Sequence, residues 1–456
     1  MAGSSSLLDT PKARISSEGL TYGVELEFVF AFHQDEILAV FDDAVYGEEC
    51  FLQKHIPYCV REGDVFTPIP LIDLPNHVYN SWGIMYTEPK SKEGMTAPYQ
   101  MEPMRIVGNK LSEKYPDFRY RTRPAINEED KIKDIYHTWI VTRDYSVCGV
   151  GSENIPAWLN RNNIDSGEWD SIGIEVVSRV LNSASPEGKQ EIEKVIDAVK
   201  GGSNDSYGAF ITNQCGLHVH VQAPQKLEEL KELALILIVY EQEIARLHPP
   251  CRRPHHEAVQ WIAESNRMGV MQHPPDLATG HFDCSTTALE QRYRGPIERL
   301  RAQLRDISNT SALVKFMNHP ANYKFPRGNR NRQVNFLSIN RGDNFASTVE
   351  FRQARGSLCA EDISRWVDFC VGLIKLSKLY SEDPDRFPLK GLGRYHEPDG
   401  KLHLNLMNVY ALMRDMELGN EAISYWQRRI AGYQMGMHGD ADDRADNELP
   451  PPELIV

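Results

Sequence analysis

The sequence lacks both common glycine-rich phosphate cradles, Gly-x-x-x-x-Gly-Lys-[Ser/Thr] and Gly-x-Gly-x-x-Gly, so no P-loop or dinucleotide turn is available. Long apolar runs are missing too. The longest, Leu233 to Tyr240, is far short of the roughly 20 residues a membrane-spanning helix needs. The opening MAGSSSLLDTPKAR has no apolar signal core, which argues against secretion. None of the eight cysteines (Cys50, Cys59, Cys148, Cys215, Cys251, Cys284, Cys359, Cys370) belongs to a Cys-x-x-Cys pair. Their scatter reads as the reduced thiols of a cytoplasmic protein. Positive charge is in short supply, with 50 Lys and Arg against 64 Asp and Glu and a formal charge of −14. Such a body lacks cations to neutralise phosphates or anionic lipid, so neither nucleic acid nor a membrane is expected as a partner. With 456 residues, 41% of them hydrophobic, the chain can still build a full core without disulfides.

Residues 1–20 are polar and Ser-rich and read as a flexible segment. Residues 439–456, GDADDRADNELPPPELIV, offer little to bury and read as a disordered acidic tail. Between them, strands are expected at 22–30, 137–147, 171–181, 215–222, 332–340 and 347–353, the last two joined by a turn at Gly342-Asp343-Asn344. Helices are expected from Ser185-Pro186-Glu187 to about Lys200, over 225–247, 286–308 and 361–379, and within 403–435. The region 33–135 gives no clear pattern. Helices interrupt the strands unevenly, which predicts an α+β fold with a curved, largely antiparallel sheet flanked by helices.

Several strands place polar residues at i and i+2, so each pair leaves from one face. Glu25 and Glu27 do so in YGVELEF, His218 and His220 in CGLHVHV, and Glu350 and Arg352 in STVEFRQ. Glu175 stands alone between Ile174 and Val176. Taken singly, a Glu-x-Glu pair is usually a solvated sheet face, and Glu-x-Arg an ion pair on one. The histidine pair is as readily exposed as ligating. Glu175 is harder to dismiss, because a carboxylate among apolar neighbours is expensive unless paired or metal-bound. Gathered in one hollow, these carboxylates would repel one another unless cations compensated them. An oxygen-rich donor set suits Mg²⁺ or Mn²⁺ better than zinc. The stretch 315–342 carries Lys315, Lys324, Arg327, Arg330, Arg332 and Arg341 with no acid. It is either a phosphate clamp or a solvated basic loop. HPPCRRPHH (248–256) has no Cys-x-x-Cys partner and is stiffened by prolines, so zinc is not expected there.

The segments YGVELEF, WIVTRDYSV, IEVVSRVL, CGLHVHV and STVEFRQARGSL, in this order across 21–380, resemble the amidoligase family of carboxylate–amine ligases with a glutamine-synthetase-like fold. The resemblance implies one catalytic domain over 21–438, with an unmatched insertion at 33–135. It implies a bowl of strands that binds ATP with Mg²⁺ or Mn²⁺ and joins a small carboxylic acid to an amine. Glu25, Glu27, Glu175, His218 and Glu350 would hold the metal ions, and Arg352, Glu350 and Glu27 would be catalytic. Lys315, Arg330, Arg332, Arg341 and His220 would contact the nucleotide; Arg252, Arg253 and Arg179 would bind substrate. Asp144 and Ser146 match the end of a family strand without an assignable role. Arg179 stands where a small residue or proline is expected, and would reshape the pocket. Rival readings are a zinc hydrolase built on the His-x-His pair, a non-catalytic binding protein on the same fold, and a phosphagen-type kinase that stops at phosphoryl transfer.

Overall fold

The alternation of YGVELEFVF becomes a single strand, β1 (Thr21–His33). Tyr22, Val24, Leu26, Phe28, Phe30 and Phe32 bury one face in the core, and Glu25 and Glu27 leave from the other. The computed structural model describes residues 19–33, 36, 59–62, 65–68, 102–123, 137–144, 146–161, 166–253, 264–266, 295–319, 328–340, 347–384 and 408–435. The expected N-terminal segment (bar its last two residues), the acidic tail, the turn at 342–344 and most of the 33–135 insertion lie outside them.

The remaining strands are β2 (Cys59–Glu62), β3 (Val65–Pro68), β4 (Tyr120–Arg123), β5 (Trp139–Arg143), β6 (Trp169–Val177), β7 (Leu181–Asn182), β8 (Tyr207–Phe210), β9 (Gly216–Gln222), β10 (Val334–Asn335) and β11 (Thr348–Arg355). β2 and β3 form a separate hairpin. The others make one open sheet in the order β10-β11-β9-β1-β6-β5-β4, with β7 and β8 also pairing β1. Every pair is antiparallel except β4 with β5. The fold is therefore α+β with a mostly antiparallel sheet, as the uneven alternation predicted.

The helices are α1 (Glu102–Lys114), α2 (Ile155–Leu159), α3 (Glu187–Lys200), α4 (Leu227–Ala245), α5 (Gly295–Asp306), α6 (Thr310–Met317), α7 (Ala360–Glu382), α8 (Val409–Asp415) and α9 (Asn420–Gln434). α4 carries the apolar run 233–240, and all eight of those residues are buried. α7 packs along α4 and also meets α3 and β9. Two expectations are corrected. Residues 332–340 are not one strand: only Val334–Asn335 pairs, and Leu337–Asn340 winds into a 3₁₀ turn. Lys315 lies on α6 rather than in a loop. Asn309 caps that helix by accepting the Ala312 N–H at 2.9 Å, and Leu313, Val314 and Met317 bury its apolar side.

Candidate active site

Register decides which of the polar side chains meet. Across β1 and β9, Glu25 lies opposite His218 and Gly23 opposite His220. On the other flank of β1, Glu27 lies opposite Glu175 of β6, which in turn faces Thr142 of β5. β11 brings Glu350 opposite His220, and β10 brings Asn335 opposite Glu350. A β-bulge follows: Phe351 pairs Val219 but Ala354 pairs Leu217, so Arg352 and Gln353 together oppose His218. The extra residue keeps Phe351 and Ala354 on the core side while placing both polar residues on the face of the glutamates. Beside the polar row, Val177 and Ile140 form a small apolar pair separate from the main core.

The contacts are close. His218 Nδ1 lies 2.8 Å from Glu25 and its Nε2 3.3 Å from Glu27. His220 Nε2 lies 3.0 Å from the other Glu25 oxygen. Asn335 donates its amide to Glu350 at 2.8 Å, and Arg352 bonds the second oxygen of Glu350. Arg252, buried in the turn Pro250–Arg252, donates to the Ala354 carbonyl at 3.0 Å. Gly216 makes room for this assembly. Its N–H donates to Glu27 at 2.6 Å. A Cβ there would stand 2.9 Å from His218 Nε2, 3.0 Å from Glu27 Oε2 and 3.1 Å from Arg252 Nη2. Gly173 does the same for the segment after β5, which crosses the sheet so closely that a Cβ would meet the carbonyls of Val147 and Asp144. That crossing carries Asp144 to the edge of the cluster.

Burial disfavours every charge here, and neighbours decide each outcome. At Glu25, His220 and His218 outweigh burial and hold the carboxyl well below its usual range. At Glu350, Arg352 and His220 outweigh burial and lower the carboxyl. Glu27 is raised, by burial and then Asp144, against the pull of His218, Arg252 and Arg352. Glu175 is raised well above its usual range, by burial first and then by Glu25, Asp144 and Glu27, with no cation among its main neighbours. Arg352 loses to burial but gains more from Glu350, Glu25 and Glu27, so its guanidinium is raised.

Among the described residues two groups could each hold a metal ion: Glu25, Glu175 and His218, and Glu25, His220 and Glu350, with ligand atoms in each group within 4.8 Å of one another. Two carboxylates and one imidazole per group, sharing Glu25, fit Mg²⁺ or Mn²⁺, the nitrogen favouring Mn²⁺.

A family model described as "putative amidoligase enzyme" matches residues 18–374. The chain belongs to the amidoligase family. Membership supports an enzyme of the ligase kind, and the matched span contains every residue of the cluster. No curated protein matches the chain significantly.

In this amidoligase-family chain Glu25, Glu27, Glu175, His218, His220, Glu350, Arg352 and Arg252 come together. Other expected site residues do not join them. Arg332 is buried and donates to the carbonyls of Ser265 and His319, with Glu264 at 3.5 Å, so it braces a loop rather than facing a phosphate. Lys315 and Arg330 are exposed, and neither is among the charges that dominate at the four glutamates. Arg341 lies outside the described residues. Arg253 has Arg246, Tyr433 and Cys251 as its main electrostatic neighbours, away from the cluster. Arg179 grips Glu191 of α3 at 2.6 Å, and lines a separate cavity of about 470 Å³ with Lys114, Trp139 and Lys194. None of the four glutamates lines that cavity.

Asp144, Asn335 and Gly216 belong to the site without having been assigned to it. Asn335 could have been found: a hairpin turning at 342–343 sets Asn335 against Glu350, as the observed register does.

Proposed function

We propose that the protein is an ATP-dependent carboxylate–amine ligase that works through an acyl phosphate. The observation that carries this reading is the sharing of Glu25 between two potential metal groups, flanked by Arg352 and Arg252. Four buried or half-buried glutamates face two guanidinium groups here, with Asp144 adding to the excess of negative charge. That imbalance suits a site completed by divalent cations and a polyphosphate.

Bound Mg²⁺ or Mn²⁺ would neutralise phosphate charge during transfer. The residues themselves do the positioning. Arg352, on the bulge and tied to Glu350, presents a fixed fork to the phosphoryl group leaving ATP. Arg252, fixed by the Ala354 carbonyl beside Glu27, is placed to receive the acid substrate's carboxylate. A carboxylate is a poor electrophile; taking the γ-phosphoryl group gives an acyl phosphate, and an amine then displaces inorganic phosphate. This chemistry asks for charge neutralisation and alignment, which suits a site rich in glutamate and, among the described residues, without an activated serine or cysteine. Cys215, next to Gly216 of the site, is pushed up to about 11 by burial and is no nucleophile.

The decisive experiment is incubation with Mg²⁺–ATP and pooled acids and amines, reading products by mass. ADP, phosphate and an amide support the ligase. ADP with a phosphorylated acid and no amide selects a kinase, and ATP-independent hydrolysis with zinc selects the metallohydrolase.

A further inference from the structure

Residues 328–340 and 264–266 form a dense network of side-chain amides, and nearly all of it is satisfied. Asn266 bonds the carbonyls of Met317 and Val334 and accepts the Val334 N–H. Asn318 bonds Asn329 and Asn335, and Asn335 bonds Glu350. Gln333 breaks the pattern. It is 1% exposed, yet neither Oε1 nor Nε2 has a hydrogen-bond partner. Its backbone is fully engaged, with its N–H on Glu264 and its carbonyl accepting from Arg352. The β10–β11 register sets Gln333 directly opposite Arg352, two residues before Asn335, whose side chain reaches Glu350. Gln353 shares the bulge with Arg352, is 3% exposed, and also has an Oε1 without a partner. A buried amide left unmatched is destabilising, and natural proteins keep such groups where something else satisfies them.

We infer that Gln333 and Gln353 form the amine subsite, their two carbonyl oxygens accepting N–H bonds from an amino group held beside Arg352. Two acceptors sharing one nitrogen would select one with at least two N–H bonds, so the substrate class is ammonia or a primary amine, not a tertiary one. Gln333 Nε2 remains to donate to an oxygen of the acyl group being attacked. That last contact, and the use of the amine as nucleophile, rest on the ligase reading; the capture of an N–H cation does not.

The test uses the full chain, wild type against Gln333→Met/Gln353→Met, a near-isosteric pair without acceptors. Thermal melts are compared in 0.1 M methylammonium and 0.1 M tetramethylammonium chloride, which differ in N–H donors. The wild type is expected to melt roughly 1–2 °C higher in methylammonium, as for a ligand near ten times its Kd. The double variant is expected to show no difference, while melting in tetramethylammonium at or above the wild type. No N–H-dependent shift in the wild type, an undiminished shift in the variant, or a variant melting lower in both salts would overturn the inference. In the second arm hydroxylamine serves as the amine with a panel of amino acids and dicarboxylates. The variant should raise the KM for hydroxylamine at least tenfold and leave that for ATP unchanged. Ligation with an unaltered hydroxylamine KM sinks the subsite alone. An N–H-specific shift without any ATP-dependent hydroxamate sinks the ligase reading and leaves the subsite standing.

Discussion

Glu175→Gln separates function from stability at the centre of the cluster. The ligand atoms of Glu25 and Glu175 lie within 4.8 Å of each other. Two full negative charges at that distance repel by about 3 kcal/mol at an effective dielectric near 20. Burial and then Glu25 raise the Glu175 carboxyl well above the usual range, and a hydrogen bond links it to Glu25, so in the metal-free protein the neutral form of Glu175 is favoured. Glutamine reproduces the neutral, donating form. A raised carboxyl stabilises the fold fully below its unfolded pKa and loses that contribution as pH climbs through the folded value. The variant has no such loss. In chelator it should therefore melt at or above the wild type at pH 7, with an advantage growing towards pH 9 to at most about 3 kcal/mol. Its Mg²⁺–ATP turnover should fall by more than about 100-fold, since even outer-shell partners of a metal are worth 10–100-fold. Urea melts in EDTA across pH and a coupled ADP assay read both. A metal-free variant less stable by more than about 1 kcal/mol, a change well outside the usual scatter of neutral substitutions, would mean that Glu175 is ionised and paired. Turnover within tenfold of wild type would remove it from the metal group.

Glu25→Gln should act oppositely on stability, because it strips the counter-charge from His218 and His220; circular dichroism melts in EDTA should drop by about 1–3 kcal/mol, and its loss of turnover should match that of the Glu175→Gln/Glu350→Gln pair. Gly216→Ala should press a methyl between His218, Glu27 and Arg252 and destabilise by about 1–3 kcal/mol, read by melting and by lost Mn²⁺ affinity. Arg332→Met should lower stability by about 2–4 kcal/mol, since it abandons buried carbonyl bonds, with nucleotide affinity by calorimetry unchanged. His248 is pushed down to about 3 from its usual 6.5, by burial and then by Arg252, Arg253 and Arg429. A depressed base stabilises above its unfolded pKa and loses that as pH falls, so wild type should lose about 2 kcal/mol between neutrality and pH 5 that His248→Phe retains.

The glutamates and histidines were legible because a strand's period of two sorts residues onto faces, and Glu-x-Glu, His-x-His and Glu-x-Arg are polar pairs in that period. Glu175 was legible for the opposite reason, as the one charge in an apolar run. Among the arginines Arg352 was, through its Glu-x-Arg pair, but the rest were not. A guanidinium serves a phosphate or a backbone carbonyl equally well, so nothing local separated Arg252, beside Glu27, from Arg332, on Ser265 and His319. The bulge at 352–353 has no sequence signature either, and it decides that Arg352 and Gln353 share a face. α6 was hidden because Lys315 was read with the asparagine-rich, Gly328-bearing stretch that follows it as one loop, although Asn309 and the spacing of Leu313, Val314 and Met317 spell a capped amphipathic helix.

Strand order explains why Glu25 is the shared member. β1 is the strand with β9 on one side and β6 on the other, so a side chain of β1 can reach both the imidazoles of β9 and the carboxyl of β6. Glu27, one pleat along, is set by register opposite Gly216 of β9; it takes the Gly216 N–H, has His218 Nε2 at 3.3 Å, and lies towards Arg252. Two glutamates on one strand face thus receive opposite electrostatics: Glu25 is lowered by two imidazoles, whereas at Glu27 burial and Asp144 outweigh His218 and the arginines. On the proposed ligase reading, a polyphosphate with its cations would bridge these halves from the face that carries Arg352. The unmatched amides proposed for the amine, Gln333 and Gln353, flank Arg352 through the β10–β11 register and the bulge, so the nucleophile would approach beside the phosphate that it displaces.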